Sequence, residues 1–120
     1  MIDTKKMAYD VAELIDDKKG SDISMLDVQK ISAVADYFII ASGNSTRQVV
    51  AIADNVEHGM EKEGHFIKHK EGHRSGNWVL LDFGDIVVHI FNKEERDFYN
   101  LEKLWCDAII TKFDIDTVKL

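Results

Sequence analysis

Trp78-Val79-Leu80-Leu81-Asp82-Phe83-Gly84-Asp85-Ile86-Val87-Val88-His89-Ile90-Phe91 is the stretch that decides the fold. Two apolar runs flank Gly84-Asp85, a residue pair with the chemistry of a two-residue hairpin turn. With that turn, Phe83 faces Ile86, Leu81 faces Val88 and Val79 faces Ile90, while the alternate pairs point to the opposite side. One face of the ribbon is then apolar throughout: Val79, Leu81, Phe83, Ile86, Val88 and Ile90. The other carries Trp78, Leu80, Asp82, Val87, His89 and Phe91.

The first face reads as core. The second contains Asp82 and His89, and an unpaired buried carboxylate costs several kcal/mol, so dry core is not expected over it. Trp78, Leu80 and Phe91 are nevertheless too apolar for an idle solvent face. Aromatic and aliphatic groups rimmed by polar residues are what protein interfaces present, with Trp enriched among their hot spots. The competing arrangement has helices on both faces, with Asp82 and His89 paired to each other or to backbone; the residues alone leave both open.

Upstream of the hairpin, Met7, Val11, Leu14 and Ile15 recur at helical spacing and predict an amphipathic helix that ends near Lys18-Lys19-Gly20. Ile23 to Val28 and Tyr37 to Ala41 read as strands, the second apolar enough to be central and covered on both faces. Ser42-Gly43-Asn44-Ser45 breaks that run. Val49, Ile52, Ala53, Val56 and Met60 then mark a second helix, closing near Gly64, with Ser45 and Gln48 at capping-box spacing. Phe66 to His69 reads as a short edge strand and Glu71 to Asn77 as a loop. Downstream, a last helix begins after Asn92 and carries Phe98, Leu101, Leu104 and Trp105, and residues 109–120 are expected to include a frayed tail.

These elements predict an α/β fold: a single domain over residues 1–120, with a mixed β-sheet and flanking helices. The 120 residues are 45% hydrophobic and 31% charged, enough apolar material for one core. The formal net charge of −7 disfavours long-range attraction to nucleic acid or an anionic membrane and suits a basic partner, although acidity for solubility alone is commoner. The single cysteine, Cys106, has no Cys-x-x-Cys partner, and residues 1–17 lack the uninterrupted apolar run of a signal peptide or membrane span. A cytoplasmic location is expected.

Catalytic chemistry is not supported by the residue pattern. Metal-assisted phosphoryl or nucleotidyl transfer needs carboxylates converging on a cation, whereas Asp82 and Asp85 stand across a turn and Asp114-Ile115-Asp116 falls in the expected tail. The loop at Ser42 lacks the glycines and lysine of a phosphate cradle and reads as a capped turn. His65, His69 and His73 recur every four residues, but Gly64, Gly72 and Gly76 interrupt any continuous element, which favours a solvated surface over a zinc site. No Gly-x-Ser-x-Gly elbow or Cys-His pair is present. No enzyme activity, metal or cofactor is predicted.

Ala35-Asp36-Tyr37-Phe38-Ile39-Ile40-Ala41-Ser42-Gly43-Asn44-Ser45, with Arg47-Gln48 and Ala51-Ile52-Ala53, resembles the ribosomal silencing factor S family, also called Iojap-like proteins. Gly76 to Asp85, Val88-His89-Ile90-Phe91, Arg96-Asp97-Phe98-Tyr99 and Leu101-Glu102-Lys103-Leu104-Trp105 match it too, in order and spacing. The resemblance runs from Met1 to about Ala108.

It implies a sheet related to the nucleotidyltransferase fold without that fold's metal-binding carboxylates. It also implies a translation repressor that binds ribosomal protein L-fourteen on the large ribosomal subunit and sterically keeps the small subunit from joining, especially when nutrients are scarce. On this chain the implied contact surface is Trp78, Leu80, Asp82, His89, Phe91, Tyr99, Leu101 and Trp105. The resemblance further permits a homodimer in the free protein. Two other readings remain open to test: a nucleotidyltransferase-fold enzyme, which would respond to nucleotide and magnesium, and a zinc-dependent regulator using the three histidines.

Overall fold

A computed structural model describes residues 3–30, 32–33, 35–99 and 109–112, with no side-chain description for 97–99 and 109–112. The elements are α1 (Thr4–Asp17), β1 (Ser21–Asp27), β2 (Tyr37–Gly43), α2 (Thr46–Lys62), β3 (His69–Glu71), β4 (Trp78–Asp82), β5 (Ile86–Asn92), α3 (Lys93–Tyr99) and β6 (Ile109–Lys112). The six strands form one sheet in the order β3-β4-β5-β2-β1-β6. Only β2 and β5 run parallel among the described pairs; the others are antiparallel.

The hairpin has the register that its turn dictates. Val79 lies opposite Ile90 and Leu81 opposite Val88, and the Phe83 N–H donates to the Ile86 carbonyl at 2.9 Å. Gly84 takes φ 95°, which a side chain rarely adopts and which a Gly-first two-residue turn requires.

Alternation then sorts the sheet into two faces. Val79, Leu81, Ile86, Val88 and Ile90 join Tyr37, Ile39, Ala41, Ile23 and Met25 beneath α1 and α2, whose buried residues include Val11, Ile15, Ile52, Val56 and Met60. This is the main core. β2 sits between β5 and β1 and is buried along nearly its whole length, as its unbroken apolar run predicts.

Both described long helices are capped by side chains. Asp3 accepts from the Lys6 N–H at the start of α1, and Ser45 accepts from the Gln48 N–H at the start of α2. The Gln48 amide oxygen reaches back to the Asn44 N–H, one residue before the cap, while its nitrogen donates to the Lys18 and Lys19 carbonyls. The loop at Ser42 is therefore a capped turn whose cap also satisfies the end of α1.

Two boundaries differ from expectation. The edge strand is His69–Glu71, not Phe66 to His69: Lys68 N–H already bonds to the Asp82 carbonyl, Ile67 packs against the main core, and Phe66 is left 65% exposed. The end of α1 is as expected, with Lys18 as its C-cap, Lys19 in the left-handed region at φ 66° and Gly20 N–H bonding back to the Ile15 carbonyl. Ile109–Lys112 is no frayed tail but an outer strand, β6, paired with β1 from Ser24 to Asp27; such a long-range pairing leaves no local sequence signal.

Candidate functional site

The second sheet face is assembled from three strands. The antiparallel register sets Trp78 opposite Phe91, Leu80 opposite His89 and Asp82 opposite Val87. The parallel register brings Phe38 beside Val87, Ile40 beside His89 and Ser42 beside Phe91. Leu26, Val28, Ala35, Ile40 and Phe91 form a second, smaller core on this side, with Phe38, Trp78 and Val87 half-buried against it.

A groove of about 660 Å³ opens over this face. Trp78, Leu80, Val87 and His89 contribute to its floor, Phe38 and Ala35 stand on the β2 side, and Lys68, His69 and Gly84 stand on the β3 side. The groove is mostly apolar with a few polar groups at its rim, the composition of a binding surface. The Asp36 N–H bonds to the Asp85 carbonyl at 2.7 Å, which ties the segment before β2 to the hairpin turn and fixes that end of the groove.

An aromatic cluster holds the floor. Trp78 stacks on Phe91 with ring centroids 4.8 Å apart, and Phe38 meets His89 edge-on at 5.5 Å. Such pairs add about 0.5 to 1.5 kcal/mol each beyond burial. The Trp78 indole Nε1–H donates to His89 Nδ1 at 3.1 Å. Because an indole can only donate, Nδ1 must be the unprotonated nitrogen, and the neutral ring carries its proton on Nε2. Burial pushes the His89 pKa down to about 4, so that this neutral form persists at physiological pH. Nε2 is shielded from solvent and has no hydrogen-bond partner among the described residues.

Asp82 and His89 are not paired with one another. The Asp82 carboxylate accepts from the Gly84 N–H at 2.7 Å and caps the turn. At the other end of the face, the buried Arg96 guanidinium of α3 donates to the Asp22 carbonyl, the Ser42 hydroxyl and the Ser24 hydroxyl, pinning α3 across β1 and β2. The spaced histidines go separate ways: His69 meets Glu71 at 3.1 Å and His73 meets Asp54 at 2.7 Å.

A family model described as "Ribosomal silencing factor during starvation" matches residues 2–120. The chain belongs to the ribosomal silencing factor family. It is 50% identical over 103 residues to the ribosomal silencing factor RsfS of Bacillus subtilis, covering 86% of this chain and 87% of that protein. It is 37% identical over 111 residues to the chloroplastic protein Iojap of Zea mays, covering 92% of this chain and 48% of that one. A crystal structure of a protein from Chromobacterium violaceum superposes with a TM-score of 0.85 at 39% identity, covering 87% of each chain. The fold is that of these neighbours, and the role of the family is ribosome-associated translation regulation, a regulatory rather than a catalytic one.

Within this silencing-factor fold, the residues expected at the contact surface fall into three groups. Trp78, Leu80 and Asp82 are half-buried on β4 beside the groove. His89 and Phe91 lie deeper, 6% and 1% exposed, and support the floor. Tyr99 closes α3, its side chain outside the described set, as are Leu101 and Trp105 entirely. Besides Gly84 and Val87 of the hairpin itself, four groove residues from outside it were not among the expected contacts: Ala35, Phe38, Lys68 and His69. Their signal was the register between β2 and β5 and between β3 and β4, which no local pattern encodes. Arg96 escaped as well, a surface residue by type that the fold buries.

Proposed function

We propose that this chain is a translation repressor that occupies ribosomal protein L-fourteen on the large ribosomal subunit and so prevents the small subunit from joining, especially under nutrient limitation. The action is steric; no bond is made or broken. The observation that supports this reading is the apolar groove on the second face of the hairpin, with Trp78 and Leu80 half-buried at its floor, in a chain of this family. Burying such side chains stabilises by roughly 1.5 to 3 kcal/mol each, enough for a few of them to offset the cost of association. The net charge of −7 favours encounter with a basic ribosomal protein over binding to nucleic acid. In this reading the protein works in the cytoplasm, and a second copy covers the same face when no ribosome is present.

The test is a subunit-joining assay. Large subunits incubated with the protein before small subunits are added should show reduced formation of joined ribosomes by sedimentation, and adding ribosomal protein L-fourteen in excess should restore it. Normal joining at saturating protein would refute the proposal.

A further inference from the structure

Two polar side chains of the hairpin line the groove among its apolar groups, Asp82 and His89, and the Asp82 carboxylate already accepts from the Gly84 N–H. The His89 Nδ1 is committed to the Trp78 indole, and its Nε2–H is a buried donor without a partner among the described residues. Leaving a buried donor unsatisfied costs about 1 to 3 kcal/mol, and native proteins rarely retain one without a use. The ring lies between the half-buried rings of Trp78 and Phe38, at centroid distances of 5.9 and 5.5 Å. Half-buried side chains at an interface commonly change rotamer on binding, and a group from outside reaches the buried Nε2 only if side chains around the ring move in this way.

We propose that His89 Nε2–H is the groove's directional recognition point, and that the occupant is a segment of a basic protein that lays apolar side chains on Trp78 and Leu80 while bringing one carbonyl acceptor to that proton. This inference rests on the function proposed above and adds the chemistry that the partner must supply. The Trp78 indole then has two tasks. It offers apolar surface, and by occupying Nδ1 it holds the tautomer in which Nε2 donates. A purely apolar occupant would leave the donor unsatisfied in the complex as well, so the groove discriminates against greasy surfaces that lack an acceptor. A nucleic acid also offers acceptors, but the acidic chain disfavours it.

His89→Phe removes the Nε2–H donor, and with it the Nδ1 acceptor of the Trp78 indole, while keeping a ring of similar size. Its melting temperature should stay close to that of the wild type, because losing a buried unsatisfied donor offsets losing the indole's acceptor, while affinity for purified ribosomal protein L-fourteen falls at least about tenfold. His89→Gln, which can still accept from the indole and donate from its amide, should bind better than His89→Phe. In the wild-type protein, the imidazole Nε2–H proton resonance should move downfield and exchange more slowly with water when ribosomal protein L-fourteen is added. Unchanged binding by His89→Phe together with an unmoved Nε2–H resonance would overturn the proposal. If Trp78→Ala abolishes binding while His89→Phe does not, the docking face stands and this inference fails. If neither substitution matters, the face itself is wrong. Tight binding of naked ribosomal RNA through the same residues would also overturn it.

Discussion

Trp78 lies flat on Phe91, their rings 4.8 Å apart on adjacent strands, one half-buried and the other 1% exposed. The two aromatic residues therefore divide the work of the second face. Phe91 holds the face up, and Trp78 is what the face offers. Phe91→Ala should destabilise the fold by about 3 to 5 kcal/mol, because it empties a fully buried aromatic site. Trp78→Ala should cost clearly less. Urea denaturation of the two variants checks the difference, and equal losses would contradict the division.

Stability should depend on His89 in mildly acidic solution. Its folded pKa is held down to about 4 by burial, whereas the unfolded chain protonates it near pH 6.5. Between those values the unfolded state binds more protons, so acid favours unfolding. The contribution is fully present above pH 6.5, is lost as the pH falls from 6.5 to about 4, and amounts to roughly 3 kcal/mol. Denaturant midpoints measured across this window should fall with pH for the wild type and show a shallower slope for His89→Phe.

Gly72 should tolerate no side chain. It sits at φ +78°, and an added Cβ would stand 1.9 Å from the Trp78 carbonyl oxygen. Gly64 has a similar φ, +86°, but open space around it. Gly64→Ala should therefore cost only the backbone strain of about 1 to 2 kcal/mol. Gly72→Ala should cost more than that and also weaken ribosome binding, since relieving the clash moves the start of β4. Parallel thermal denaturation and subunit co-sedimentation of both variants would show it.

Arg96 is a three-point staple between α3 and the central strands. Arg96→Ala leaves a buried hydroxyl pair and a carbonyl short of donors and should cost about 2 to 4 kcal/mol. Arg96→Lys should recover little, because an ammonium cannot reproduce the planar fork. Chemical denaturation of both variants checks the prediction, and full recovery by lysine would contradict it.

What the sequence disclosed follows from how local each interaction is. Gly84-Asp85 sets the register of the hairpin by itself, so the pairs from Trp78 with Phe91 to Asp82 with Val87, and hence the membership of the two faces, were readable in advance. The caps at Ser45 and the amphipathic faces of α1 and α2 are local in the same way. The depth of each residue was not readable. His89 and Phe91 have the same alternation as Trp78 and Leu80, yet they lie on β5, which is flanked by β4 and β2, while β4 lies next to the edge strand. Burial follows position in the sheet, and that position depends on the crossover from β2 through α2 to β5. The same crossover brings Phe38 to the groove. Arg96 illustrates the limit most plainly: its partners stand 54 to 74 residues away in sequence.

In the proposed function, the open part of this ribbon face captures the large ribosomal subunit. Co-sedimentation of purified large subunits with Trp78→Ala measures it most directly, with circular dichroism confirming that the variant is folded. Capture should weaken at least about tenfold, as expected for a hot-spot tryptophan. A folded Trp78→Ala protein that sediments with large subunits as the wild type does would contradict it.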